Sequence, residues 1–128
     1  MKRHLISQCS SLPWKDLGPS NEEAVDYPDF AAILVNDLKL HLKDSCGVLV
    51  CGSGQGMVIA ANRSPLIRAA LCWNEEIARL ALEHNDANVL FFPGRHVDFK
   101  LAERILDAFL KTPFAGGRHQ RRVDKLNC

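Results

Sequence analysis

No apolar run in these 128 residues approaches the roughly 18–20 that a bilayer-spanning helix needs. The opening MKRHLISQCSS lacks the apolar stretch of a secretory signal. Charge of one sign is missing too. Sixteen basic residues against fifteen acidic leave a net charge of +1, which argues against a general nucleic-acid or membrane surface. The five cysteines (Cys9, Cys46, Cys51, Cys72 and Cys128) are odd in number and form no CxxC pair. Neither a disulfide framework nor a zinc site is indicated, and a reducing cytoplasm is the natural setting. With no repeat, linker or low-complexity segment, residues 1–128 are expected to form one domain around one core.

What is present is ordinary globular material, 47% apolar and 24% charged. KRHLISQC (2–9) reads as a helix continuing from before it. SSLPWKDLGPSNEE (10–23) is punctuated by Pro13, Gly18 and Pro19, with room for a short strand near Trp14–Leu17. Residues 26–44 read as a helix entered at Pro28, with Phe30, Ile33, Leu34, Leu38 and Leu42 as its buried stripe. GVLVCG, IRAALC and ANVLFFPG are short, almost continuously apolar strands. They alternate with helices over GMVIAANR, over NEEIARLALEHN capped by Asn74, and over DFKLAERILDAFLKT. The tail FAGGRHQRRVDKLNC starts with a turn and ends in a short helix. Continuously apolar strands alternating with helices indicate a parallel sheet covered on both faces, an α/β doubly wound fold.

The stretch VLVCGSGQGM (48–57) is a strand, a tight loop and the start of a helix, with Gly52, Gly54 and Gly56 on alternate positions. Loop N–H groups there suit an anion or a developing oxyanion. The spacing G-x-G-x-G is not the dinucleotide-binding G-x-G-x-x-G, and no acidic strand end follows at the required interval. Taken alone, the loop could equally be only a tight turn. Cys51 stands at the carboxyl end of the strand, a position open to acid–base work, though a small buried hydrophobe is the usual fate of a free cysteine. His84 at a helix end could be no more than a dipole partner. Arg118 and Arg122, four apart, share a helix face that could grip a phosphate or merely face water.

DYPDF, GVLVCGSGQGM, IAAN, IRAALC, EHNDANVL, GR and GGRHQRRV occur in an order and spacing that resembles the type B ribose-5-phosphate isomerases, whose scaffold galactose 6-phosphate and allose 6-phosphate isomerases share. The resemblance runs from about residue 1 to 126. It implies a Rossmann-like α/β/α sandwich, a homodimer with active sites at or near the subunit interface, and metal-free aldose–ketose isomerisation of a sugar phosphate. Family chains begin with a strand ending in an Asp-His pair. This sequence begins in what resembles the second half of the helix that follows. The first strand has no counterpart here, and its loss would leave a gap inside the sheet. A true start upstream of Met1 is the favoured expectation; a damaged or repurposed member is the other.

The resemblance gives Cys51 the role of the base that moves a proton between C1 and C2. It places Gly52, Ser53, Gly54, Gln55 and Gly56 around the enediolate oxygens, with the Ser53 hydroxyl bonding the intermediate. It makes His84 the acid that opens the furanose ring, Asn85 a holder of substrate hydroxyls, and Arg118 with Arg122 the phosphate clamp. Arg121 lies off that face. Asp26 and Asp29 start a helix rather than bind metal, and Glu75 and Glu76 need no more than the helix dipole. His4, His41, His96 and His119 receive no role, and Cys9, Cys46, Cys72 and Cys128 are structural or incidental. The leading expectation is interconversion of ribose 5-phosphate and ribulose 5-phosphate. The alternatives are a hexose 6-phosphate isomerase and a non-catalytic sugar-phosphate-binding subunit.

Overall fold

The computed structural model describes residues 1–126; Cys128, taken above as incidental, lies outside them. Three strands, β1 (Gly47–Cys51), β2 (Ala69–Leu71) and β3 (Val89–Pro93), form a parallel sheet in the order β1-β3-β2. β3 is the centre, pairing in register from Gly47↔Val89 to Cys51↔Pro93 on one side and from Ala69↔Val89 to Leu71↔Phe91 on the other. All five residues of β3 are buried. Its alternate side chains feed two cores, because successive residues of a strand face opposite ways. Leu90 and Phe92 pack with Leu5, Ala78, Ile105 and Phe109; Val89 and Phe91 pack with Ala31, Leu34, Leu38 and Met57.

Those two cores carry the helices. On the first face lie α1 (Lys2–Gln8), α4 (Glu75–Asn85) and α5 (Phe99–Lys111); on the second lie α2 (Tyr27–Leu38) and α3 (Gln55–Ala61). The last helix, α6 (Arg118–Leu126), packs against α4. Helices on both faces of a parallel sheet are the doubly wound arrangement that the continuous apolar strands imply. The expected N-cap is present, with the Asn74 side chain accepting a hydrogen bond from the Ile77 N–H at 2.8 Å.

Three local expectations need correcting. The helix over 26–44 stops at Leu38, and residues 39–45 continue as turns in which the Leu40 N–H reaches Asp37 and the His41 N–H reaches Leu38. Leu40 is 78% exposed, whereas Leu42, beyond the helix, still packs partly buried against the second core. Within α2 the buried stripe is Ala31, Leu34, Val35 and Leu38, while Ile33 lies outside it and is exposed. No strand forms at Trp14–Leu17. That segment is fastened instead by ion pairs, Lys2–Asp16 to α1 at 3.0 Å and Lys15–Asp37 to α2.

β1 is an edge strand. Alongside its outer edge runs a groove of about 600 Å³ bounded by α1, α2 and the segment Pro13–Gly18.

Candidate active site

Cys51 is the last residue of β1, half-buried, with the glycine loop beginning immediately after it. The loop is pinned to the turn after β3: Gly94 N–H donates to the Cys51 carbonyl at 2.8 Å, and Arg95 N–H donates to the Gly52 carbonyl at 3.1 Å. Gly54 caps α3 at φ +85°, a conformation that L side chains rarely adopt. A Cβ there would also lie 2.5 Å from Leu71 Cδ1 and 3.0 Å from the Phe91 ring. At Gly56 a Cβ would fall 2.5 Å from the Tyr27 ring, and at Gly52 it would come within 3.2 Å of Arg95 Nε. The first helical bond of α3 runs from Val58 to Gly54, so the first-turn N–H groups before it have no intrahelical partner. Ser53 and Gln55 are exposed on the same loop. A thiol, an exposed hydroxyl, first-turn N–H groups and the Arg95 guanidinium thus gather at the carboxyl end of the sheet. This set can accept a proton and steady an oxyanion.

His84 and Asn85 end α4 and shortly precede Val89, the first residue of β3. They therefore lie at the amino end of the sheet, whereas Cys51 pairs with Pro93 at the carboxyl end. Four residue steps of about 3.3 Å put at least about 13 Å of strand between the two ends. The His84 ring stacks on His119 of α6, with centroids 4.3 Å apart and planes 9° from parallel. Arg118 and Arg122 flank His119 on the same helix, both exposed, and neither guanidinium is tied to a carboxylate among the described residues. Partial desolvation, then the charges of His84, Arg118 and Arg122, hold the His119 imidazole below its ordinary range. The backbone here is braced by Arg68, whose Nε donates to the carbonyls of Asn85 and Asp86 at 3.0 Å each. Asp86, at φ 48°, provides the left-handed turn out of α4. The structure thus gathers His84, Asn85, Arg118 and Arg122 at one end, and leaves Cys51 with its loop at the other.

A family model described as Ribose/Galactose Isomerase matches residues 1–126. The chain belongs to this family. It is 48% identical to a ribose 5-phosphate isomerase of Thermotoga maritima, superposing with a TM-score of 0.89 over 98% of this chain and 85% of that one. A ribose-5-phosphate isomerase B of Mycoplasma genitalium, solved with bound ribulose-5-phosphate, is 41% identical with a TM-score of 0.89, covering 94% of this chain and 80% of that one. The ribose-5-phosphate isomerase B of Escherichia coli is 41% identical over 113 residues, 88% of this chain and 75% of that protein.

Within this isomerase fold the remaining candidates have ordinary structural explanations. Cys72 is fully buried and its thiol is pushed up to about 12 by burial. Burial, followed by the charges of Glu103 and Asp107, also raises the Cys9 thiol. Glu75 Oε1 is engaged by Arg104 Nε at 2.7 Å. His4 contacts Glu103 at 2.5 Å and stacks on Phe99. Two residues at the sites escape a reading of the sequence. Arg95 meets the glycine loop only because β3 delivers its turn there. His119 meets His84 only through the packing of α6 on α4. The sequence signal for both was adjacency to quoted motifs, GR for Arg95 and GGRHQRRV for His119, and adjacency assigns no contact.

Proposed function

We propose that the chain interconverts ribose 5-phosphate and ribulose 5-phosphate, with Cys51 as the base and His84 as the ring-opening acid. The observation that carries this reading is the placement of Cys51 at the end of β1, against a loop in which Gly54 and Gly56 leave no room for a side chain. It is supported by the 41–48% identity to enzymes named for this substrate. His84 protonates the ring oxygen as the furanose opens. Cys51 then takes the proton from C2 and returns it to C1, while the loop N–H groups and the Ser53 hydroxyl hold the enediolate oxygens. Asn85 holds sugar hydroxyls. Arg118 and Arg122 hold the phosphate through paired guanidinium forks.

A five-carbon sugar phosphate is shorter than the strand length that separates Cys51 from His84. The reading therefore needs two copies of the chain, the loop of one facing the α4–α6 end of the other. A homodimer with composite sites meets that need. No helix among the described residues is long and apolar enough to cross a membrane, and the free thiols of Cys9, Cys46, Cys51 and Cys72 suit a reducing cytoplasm.

The test is turnover of ribose 5-phosphate, galactose 6-phosphate and allose 6-phosphate in parallel, with binding of each measured by calorimetry. The pentose phosphate is expected to have the highest kcat/KM. Preferential turnover of a hexose phosphate would reassign the substrate, and binding without any turnover would make the chain a sugar-phosphate-binding subunit.

A further inference from the structure

A catalytic imidazole is ordinarily oriented by a hydrogen bond to the ring nitrogen that stays out of the reaction. Among the described residues neither nitrogen of His84 makes one, and its charged neighbour Glu83 holds Oε1 3.9 Å from Nε2. The other oxygen of that carboxylate, Oε2, is taken by Arg79. Rotation of a histidine ring about its Cβ–Cγ bond is broad, so α4 alone leaves the plane of His84 free. What meets the ring is the face of His119, with centroids 4.3 Å apart and planes 9° from parallel. Helix α6 reaches that position with few ties. The Ala115 N–H donates to the Glu83 carbonyl at 3.0 Å. Gly116 and Gly117 then turn the chain at φ 64° and 55°, with open space where side chains would stand. His119 and Val123, four apart, share a face of α6, and Val123 is the buried residue of that helix. The face that packs α6 in place is thus the face that presents His119 to His84.

We propose that His119 is a positioning residue for ring opening: its flat face sets the plane of the His84 ring, and with it the direction in which His84 delivers a proton. This role rests on His84 being the ring-opening acid. A proton donor works only within hydrogen-bond reach of its acceptor and in line with it, and stacked rings hold one another to a common plane. The supporting ring is also suited by its charge. Desolvation, then the charges of His84, Arg118 and Arg122, hold the His119 imidazole below its ordinary range. At neutral pH it is therefore uncharged and sets no like charge against a neighbour that carries a proton. Because Arg118 and Arg122 flank His119 on α6, the helix that grips the phosphate also aims the acid.

Ribose 5-phosphate must open its furanose ring before C2 can lose a proton. Ribulose 5-phosphate, with its C5 oxygen esterified, is already an open chain. Turnover of the first therefore needs the acid, and exchange of the C1 hydrogen of the second with deuterium oxide, read by NMR, does not. In His119→Ala, kcat for ribose 5-phosphate is expected to fall roughly tenfold or more with KM little changed. Its C1 exchange of ribulose 5-phosphate should stay close to parental. His119→Phe, which keeps a flat ring without nitrogens, is expected to recover most of the turnover. Parental kcat in His119→Ala would overturn the assignment. So would an equal fall in turnover and exchange, which marks loss of the fold or of the phosphate grip. No recovery in His119→Phe would make a nitrogen of His119, rather than its face, the working part, and the proposal would fall. His84→Ala is measured beside these variants. If it separates turnover from exchange and His119→Ala does not, only the positioning role is lost. If His84→Ala turns over ribose 5-phosphate at the parental rate, His84 is not the acid and both readings fall together.

Discussion

Two cysteines stand at the carboxyl ends of β1 and β2, the strands on either side of β3, and their surroundings separate them. Cys72, just after β2, is fully buried, and burial pushes its thiol up to about 12. Cys51 is half-buried and opens onto the glycine loop. Only the second can reach a substrate. General-base assistance is worth about 10²–10⁴-fold, or roughly 3–5 kcal/mol of barrier. Cys51→Ala is therefore expected to lose kcat on that scale while still binding ribose 5-phosphate. Cys51→Ser should be nearly as slow, because a hydroxyl stays protonated where a thiol can ionise. Cys72→Ala should keep turning over provided its circular dichroism is unchanged. Steady-state kinetics with parallel calorimetry decides it. Parental turnover in Cys51→Ala would remove the base from the mechanism, and Glu75 could replace it only by giving up Arg104. At this scale the glycine loop was legible from its spacing, since alternate glycines after an apolar strand require close approach. Which atoms make that approach was not. Leu71, Phe91, Tyr27 and Arg95 come from four separate parts of the chain.

The α4–α6 contact is where an element-level property turns on one pair of rings. His84 and His119 lie face to face at 4.3 Å, and a proton on either raises the cost of a proton on the other. Desolvation, with the nearby His84, Arg118 and Arg122, lowers the His119 pKa from its ordinary 6.5. As pH falls, the unfolded chain takes up this proton before the folded one does. The contribution of the contact is thus fully present above about pH 6.5 and is lost as pH drops through the folded-state value. The His119 ring resonance is expected to titrate below that of an unperturbed histidine. In His84→Ala its midpoint should rise without reaching the free value, because Arg118 and Arg122 remain. An unchanged midpoint would show that the stack does not govern the titration. Elements of this size were readable where the pattern had one cause. The strands are apolar throughout because both faces are covered, and Asn74 marks the start of α4. The end of α2 was misread because Leu42 keeps the helical spacing and still packs against the second core, although turns rather than a helix carry it there. Trp14–Leu17 was misread because a strand requires a partner, and this sequence places no strand beside it. The His84–His119 contact joins residues distant in sequence, and no local pattern announces it.

For the whole molecule, the sheet sets the arrangement. A helix following a parallel strand returns to the amino end, so α4 carries His84 and Asn85 away from the end that holds Cys51. If both groups act on one sugar, one chain cannot supply them together, and a two-fold pair with reciprocal contacts supplies two composite sites. This has a consequence that a site within one chain does not share. Cys51→Ala and His84→Ala chains, each impaired as homodimers, can be co-expressed with different tags and the mixed dimer isolated. One of its two sites then carries both lesions. The other combines the intact Cys51 of one chain with the intact His84 of its partner, so about half the parental kcat per dimer is expected to return. Were each site built within a single chain, every site in the mixed dimer would still carry one lesion and no activity would return. Sedimentation of the same sample separates the remaining outcome: a chain that stays monomeric at micromolar concentration could not form composite sites, and the opposed placement of Cys51 and His84 would then count against any mechanism that uses both.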